Sequence, residues 1–412
     1  MVSKWVERPI FEVLKPNGIK IGPFGSQLKK EMLLSDGVYR VYGQENVYDQ
    51  DFSLGDRFLT REHFNHLNSC EIVPGDFVMS TMGTIGKCAI VPDGIQRGIM
   101  DSHLIRLRFD EKKVNPDYIL QLFSDEHHYL SDQTARLAVG GIMDGLSVGI
   151  VSRLNVAYPE SLKEQEKIIA ILSDADELIR DLKKRIRKQK DIRQGTMQML
   201  LTGKKRLEGF SGSWITKPLE KLCDLITDGS HESPSEYLDG FYMPSVKDMT
   251  DSGFDFSDCK RISKVDYERL VANGCKPEIG DVLIAKDGSM LKYVFTVKEN
   301  RNIVILSSIA ILRPKKNVLS SSYLTYYFRQ PRFVEQVIKS NQTGTGVPRI
   351  VLKNFKKIEL RIPEELTEQE AIAGILSDMD IDIWTLEKKL KKLTAIKQGM
   401  MEELLTGKVR LV

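Results

Sequence analysis

The sequence predicts an α+β protein built twice over: two globular α+β domains separated by two long antiparallel helices that form a coiled coil, arranged as a pseudo-two-fold tandem repeat. Three observations carry this expectation. The segment starting at Pro159 recurs at Pro363, 204 positions later, and 27 of 49 ungapped positions are identical. Both copies carry apolar residues at alternating steps of four and three, the spacing of a coiled-coil seam. The stretches that precede the copies alternate short β-like runs with turn signals. The expected division is 1–158 for the first domain, 159–207 for a central spacer helix, 208–362 for the second domain and 363–412 for a C-terminal spacer helix.

Chance similarity between amphipathic helices would copy apolar spacing, but not EQE, ILSD and LLTGK at fixed offsets, so a duplication is required. The repeat extends outside the helices. Gly75, Asp76, Gly83, Lys87, Ser102, Tyr118 and Phe123 match Gly280, Asp281, Gly288, Lys292, Ser307, Tyr323 and Phe328 at a separation of 205. Trp5 and Pro9 match Trp214 and Pro218 at 209, which places about four extra residues early in the second half. The globular parts are far less alike than the helices, which implies different work on different ligands.

The central helix seam runs through Ile168, Leu172, Ala175, Ile179, Leu182 and Ile186, weakens at Gln189 and Arg193, and resumes at Leu200. The C-terminal seam runs through Ile372, Leu376, Met379, Ile383, Leu386, Leu390, Leu393, Met400 and Leu404, with Lys397 as its one polar interruption. Each helix would extend about 55 Å at ~1.5 Å per residue. Thr367 with Glu370 reads as a capping box, and Gly203 and Gly407 stand where terminating glycines are expected. Gly195 and Gly399 lie inside the pattern at ~1 kcal/mol each, which a kink or a close helix crossing would explain. A long helix with one apolar stripe needs a partner, and the other copy in the same chain is the nearest one.

In the globular parts, FVMST (77–81), CAIV (88–91), LIRLRF (104–109), VLIAK (282–286), YVFTV (293–297) and IVILSSIAIL (303–312) read as strands. Asn115-Pro116 and Ser320 to Ser322 open helices.

With 412 residues, 41% hydrophobic and 28% charged, the chain has the composition of a soluble multi-domain protein. The net charge of +3 neither requires nor excludes nucleic acid, but bases cluster in KKRIRKQKDIR (183–193) and KKRL (204–207). Five cysteines without a CxxC pair argue against a disulfide framework or structural zinc and for a reducing cytoplasm. The start MVSKWVERPI lacks an apolar signal region, and no run approaches the ~18 apolar residues of a membrane span.

Loops rich in Gly, Ser, Gln and Lys supply the candidate DNA contacts: IGPFGSQLKKE (21–31), TDGSHESP (227–234) and NQTGTGVPR (341–349). Hydrogen-bonding side chains of these types reach base edges, and lysines and arginines also hold phosphates. The candidates are Lys20, Ser26, Gln27, Lys29, Lys30, Gln44, Asn46 and Lys87 in the first half. In the second they are Ser230, His231, Lys247, Lys286, Lys292, Thr343, Thr345 and Arg349.

Enzyme motifs fail. Asn115-Pro116-Asp117-Tyr118 resembles an adenine-methyltransferase loop only loosely; its counterpart SSSY (320–323) lacks the motif, and an N-cap followed by proline explains it. Pro92-Asp93 with Glu111-Lys112-Lys113 loses its acid in the second half, where LRPKKN stands. There is no Gly-rich cofactor loop, no P-loop and no metal-ligand spacing among six histidines. A self-contained DNA methyltransferase or nuclease is the alternative, and it lacks a catalytic constellation.

The tandem halves, IGPFGSQLKK in the first, TDGSHESP in the second, the Gly-Asp turns at 75–76 and 280–281, and the twin EQE…LLTGK helices together resemble the specificity subunit of type I restriction-modification systems. That resemblance covers nearly the whole chain. It implies that each globular half is a target-recognition domain reading one part of a split site in double-stranded DNA. The paired helices would act as a ruler that sets the unread gap. It further implies two copies of an adenine methyltransferase subunit as partners, bringing S-adenosylmethionine, and a translocase-nuclease partner with its own ATP and Mg. This chain would bind no cofactor and catalyse nothing, and the unlike halves would read unlike half-sites.

Overall fold

In the computed structural model, which describes residues 4–124, 126–137, 145–341 and 349–411, the chain divides into two compact units. One comprises Met1–Lys183 with Lys388–Val412, the other Lys184–Glu387. Both boundaries cut through the long helices, so each unit owns half of each. The helices span Leu162–Leu200 and Leu366–Leu404, 39 residues each.

The first unit contains a four-stranded antiparallel sheet in the spatial order Leu14–Ile21, Leu104–Phe109, Phe77–Ser80, Cys88–Ile90. The second contains its equivalent: Cys223–Asp228, Ile309–Pro314, Val282–Ala285, Val294–Thr296. The runs read as strands at 77–81, 88–91, 104–109, 282–286 and 293–297 all lie in these sheets. The run 303–312 is corrected, because only its end, from Ile309, is strand. Ile303 and Leu306 make isolated bridges to Tyr242 and Ser230 instead. A turn precedes the strand, with the Ile309 N–H bonded to the Leu306 carbonyl. In both units a two-stranded ribbon ties the domain's start to the entry of a long helix: Trp5–Pro9 pairs with Asn155–Pro159, and Trp214–Pro218 with Glu359–Pro363. The first unit also carries a second four-stranded sheet, Phe58–Leu59, Tyr39–Tyr42, Gly98–Met100, Glu71–Ile72; at the comparable place the second has a ribbon of Phe241–Tyr242 and Arg261–Ile262. The helices opened by Asn115 and Ser320 are Pro116–Leu122 and Ser321–Tyr327, and each cap side chain accepts a backbone N–H.

Inside each unit the two helix halves run antiparallel. In the first, Glu164 meets Arg410 and Asp176 meets Lys397; in the second, Lys190 meets Glu387, Arg193 meets Asp380 and Arg206 meets Glu368. As one residue number climbs, its partner's falls. Ile168, Leu172, Ala175, Ile179, Leu182, Ile186, Ile372, Leu376 and Ile383 are buried, while Met379, Leu386, Leu390 and Leu393 are half-buried. Met401, Leu404 and Leu405 join the core of the first domain, and Met197, Leu200 and Leu201 that of the second. Each domain core is therefore completed by the end of the other copy's helix. A buried Leu or Met side chain contributes about 1.5–3 kcal/mol.

Two of the polar breaks in the seam, Arg193 and Lys397, are explained by these contacts. Lys397 and Arg193 occupy equivalent positions, and each meets an equivalent aspartate, Asp176 or Asp380. Burial pulls the Lys397 ammonium down, but the hydrogen bonds it donates to Asp176 and Glu126 outweigh this and hold the group above its ordinary range.

The helix starts are held by a second pair of equivalent contacts. The buried Gln165 accepts from the Asn115 N–H at 2.7 Å and donates to the carbonyls of Lys113 and Pro159 at 3.1 and 2.9 Å. Gln369 accepts from the Ser320 N–H at 2.9 Å and donates to Val318 and Pro363 at 3.0 and 2.9 Å. Beside them Arg410 grips Glu164 with two bonds of 2.7 and 2.8 Å, and Arg206 grips Glu368 at 2.6 and 2.8 Å. The helix ends turn at Gly203 (φ 69°) and Gly407 (φ 73°), left-handed positions suited to glycine. The ring of Trp214 or Trp5 lies directly against that turn.

Two expectations about the helices are revised. The C-terminal helix begins at Leu366, so Thr367 sits inside its first turn and Glu365 takes the place that Ser161 holds before the central helix. Gly195 and Gly399 are exposed with open space where a side chain would go, so no close crossing accounts for them. No helix among the described residues is long and apolar enough to cross a membrane.

Replacing Gln165 by Leu leaves one backbone N–H and two carbonyls without their partner, each worth about 1 kcal/mol or more. We expect Gln165→Leu and Gln369→Leu each to lower unfolding free energy by about 3 kcal/mol, read from urea midpoints, with the two costs alike.

Candidate nucleic-acid interface

Within each domain the candidate loops leave the four-stranded sheet at corresponding points. Ile21 pairs with Ile105 and Asp228 with Ala310, and these partners occupy equivalent places, being joined in turn to Met79 and Ile284. The next residue is glycine in both. A Cβ on Gly22 would stand 1.8 Å from the Asp101 carbonyl oxygen, and one on Gly229 would stand 2.0 Å from that of Ile305. No larger residue fits at either position.

In the first domain the loop then exposes Phe24, Ser26, Gln27, Lys29 and Lys30. The Gln27 side-chain Oε1 accepts from the Phe24 N–H at 3.4 Å, and Lys29 lies 3.7 Å from Glu31, both well exposed. Such a surface pair adds little stability, so these lysines remain available to a phosphate. Lys20 is half-buried in the strand, and Lys87 is half-buried at the end of a turn. That turn is pinned by Tyr48, whose hydroxyl accepts from the Thr84 N–H at 2.9 Å and lies 3.1 Å from the Met82 carbonyl oxygen and 3.0 Å from Gln44 Oε1. Gln44 is thus part of the turn's support.

Asn46 is corrected as a DNA contact. It is fully buried, accepting from the Gly43 N–H at 2.9 Å and donating to the carbonyls of Asp51 and Leu54 at 3.0 Å each. It closes a loop: both amide hydrogens are spent on it, and the oxygen is buried beyond the reach of a base.

In the second domain His231 is exposed, and so are Lys247, Lys292 and Arg349. Lys292 lies over the Tyr293 ring at 5.0 Å. Thr343 and Thr345 lie outside the described residues. Two candidates are corrected. Ser230 is buried, with its hydroxyl donating to the Glu232 carbonyl and accepting the Glu232 N–H. Lys286 is 6% exposed and held between Asp228 at 3.3 Å and Asp287 at 3.2 Å. Both are internal struts of the loop, a role that residue type alone does not reveal.

Many arginines are committed in the same way. Arg40 donates to the carbonyls of Ser53, Leu54 and Gly55, and Arg57 bridges Glu45 and Asp101. Arg108 and Arg313 make equivalent two-bond grips on buried Asp76 and Asp281, whose hydrogen bonds raise both guanidinium groups above their ordinary range. These explain the two Gly-Asp turns seen in the sequence. No nucleophilic thiolate is offered by four of the cysteines: burial pushes Cys223 up to about 12, Cys259 up to about 11, and Cys88 and Cys275 upward as well. Among the described residues no group of three His, Cys, Asp or Glu side chains is placed to hold a metal ion.

Sequence reading missed Tyr48, Asp228 and Phe24. The first two act through other residues and carry no composition signal. Phe24 had one, an aromatic residue within a Gly-, Ser- and Lys-rich loop.

Comparison with known proteins adds a consistent result. The family model for the type I restriction modification DNA specificity domain matches residues 4–189 and again 214–397. The chain is 30% identical over 171 residues to the type I restriction enzyme MjaVIII specificity subunit of Methanocaldococcus jannaschii, an alignment spanning 42% of this chain and 36% of that protein. It is 24% identical over 359 residues to the putative type I restriction enzyme MjaX specificity subunit of the same organism, spanning 82% and 79%. In fold it is similar to the S subunit of a type I restriction-modification system from M. genitalium, with TM-score 0.59 and 16% identity over 98% of this chain and 96% of that one. A chain from a structure on complex assembly and conformational transition of the type I system aligns with TM-score 0.56 and 16% identity, over 98% of each.

We expect Asn46→Ala to lower unfolding free energy by about 2–3 kcal/mol, since it strands buried backbone groups. The check is a denaturant titration of the full chain.

Proposed function

This chain belongs to the type I restriction modification DNA specificity family, and from that premise we propose that it reads an asymmetric bipartite site in double-stranded DNA and positions methyltransferase subunits there. Residues 1–158 form one reader and 208–362 the other, and the segments 159–207 and 363–412 set the gap between half-sites. Two copies of an adenine methyltransferase subunit supply the chemistry and the S-adenosylmethionine. A translocase-nuclease subunit using ATP and Mg joins where the system restricts DNA. The chain itself binds no cofactor and performs no reaction. Five unpaired cysteines support a cytoplasmic setting.

One observation carries this reading. The contacts that anchor the helices are chemically the same in both halves (Glu164 with Arg410, Glu368 with Arg206, Gln165 and Gln369), whereas the exposed loops differ. A chain selected to read one repeated element twice would keep its loops alike as well. Unlike loops on a duplicated frame suit unlike half-sites. Two readers on one face of a duplex need a spacing near one helical turn, ~34–36 Å, within the reach of 39-residue helices.

Three outcomes test it. Exchanging 1–158 for the corresponding part of a relative changes one half-site in genomic methylation maps and leaves the other alone; simultaneous change of both would rule out independent reading. Inserting one heptad into both helices lengthens the gap with half-sites preserved, and an unaltered gap would remove the ruler. Lys29→Gln with Lys30→Gln weakens DNA binding and flattens its log–log salt dependence by up to about 1.8, at ~0.9 per lost phosphate contact.

A further inference from the structure

We propose that His231 reads a base edge in the second half-site, and that Asp228, held by buried Lys286, is the positioning residue that decides which ring nitrogen faces the base. The inference rests on the DNA-reading function above and deepens it. The three side chains form a line from interior to surface. Lys286 Nζ is 3.3 Å from one Asp228 oxygen, and His231 Nε2 is 3.4 Å from the other. The side chains are 8%, 10% and 76% exposed in that order. Asp287 takes the other side of Lys286 at 3.2 Å, and the neighbouring Glu232 is engaged by Arg269.

The first domain offers an internal control. Asp228 stands where Ile21 stands, as the strand registers show. Counting on from there, His231 stands where Phe24 stands. Lys286 stands where Thr81 stands, because the Lys286 N–H bonds to the Ser308 carbonyl just as that of Thr81 bonds to His103. Each domain therefore exposes one ring at the same point of the same loop. The residues equivalent to Asp228 and Lys286 are Ile21 and Thr81 in the first domain; behind the imidazole lie a carboxylate and an ammonium. The ring and its support have changed together, as they would if the supported ring were the working part. An exposed histidine with no task needs no buried ion pair behind it, and even a paired buried lysine carries a desolvation cost that Thr81 avoids.

A carboxylate beside Nε2 favours the tautomer with the proton on that nitrogen. Nδ1 of the neutral ring is then an acceptor. In the major groove the matching donors are the exocyclic amino groups of adenine and cytosine. Phe24 has no such capacity and serves apolar contact, as with a thymine methyl group.

The test uses the full chain and selection from a pool of randomised duplexes. The wild-type protein should enrich a bipartite sequence; if it enriches none, the DNA-reading function itself fails. His231→Phe should reduce preference about five- to tenfold at one position of the second half-site, the scale of one hydrogen bond, with all other positions unchanged. Replacing the adenine or cytosine at that position by deoxynebularine or deoxyzebularine, which lack the amino group, should weaken wild-type binding by the same factor and leave His231→Phe indifferent. Which analogue acts identifies the base. Asp228→Asn, still able to accept from Nε2, should retain the preference, and Asp228→Leu should lose it. The triple change Asp228→Ile, His231→Phe, Lys286→Thr installs the first domain's set and should behave as His231→Phe does. If His231→Phe selects the wild-type sequence with full preference everywhere, or weakens all positions equally, the inference is overturned.

Discussion

Each domain of this protein depends on capturing the far end of a helix that begins in the other half of the sequence. The capture is ionic and made on a buried carboxylate: Glu164 holds Arg410, and Glu368 holds Arg206, each by two hydrogen bonds with a tryptophan under the guanidinium. A charge pair of this kind is a poor source of stability in itself, since desolvation offsets much of the attraction. Its value is directional. It admits one register of helix end against helix start, where a purely apolar seam with a seven-residue repeat would tolerate slippage by a heptad. Lys397 with Asp176, and Arg193 with Asp380, apply the same rule one level further along. Arg193 and Lys397, polar breaks in the seam, are therefore its register marks.

Around that constraint the molecule separates a duplicated frame from loops that differ between the halves. The frame consists of the ribbons, the paired sheets, the two glutamine anchors and the aspartate–arginine grips at 76–108 and 281–313, and it is chemically duplicated. The part that differs consists of loops that leave the sheet beyond Gly22 and Gly229, where contact with a carbonyl excludes any side chain. A frame that holds its loops from below can exchange their exposed residues at little cost in stability. Here it supports Phe24 in one copy and His231 in the other.

Charge is distributed by the same logic. Arginines are drawn into the frame, where a planar group with five donors can satisfy several carbonyls or a whole carboxylate. Arg40 and Arg57 are examples. Lysines such as Lys29, Lys30 and Lys247 stay exposed in the loops. A net charge of +3 is thus compatible with DNA binding, because the cations that matter are the uncommitted ones.

Periodicity and repetition were readable directly: the two helices, their termination at Gly203 and Gly407, three of the four strands in each main sheet, and the existence of two unlike domains on one plan. Helical spacing and glycine at a left-handed turn are local requirements, so they leave a local mark. The assignment of individual candidates was not readable in the same way. Asn46, Ser230 and Lys286 have the residue types of a DNA contact and are spent inside the fold. The run 303–312 has the composition of one long strand and is broken by a turn before Ile309. By itself the sequence determined the repeat, the helices and the chemistry available in each loop. Only the tertiary structure decided which polar groups remain free, because that depends on distant partners, such as Asp228 for Lys286, that sequence spacing does not connect.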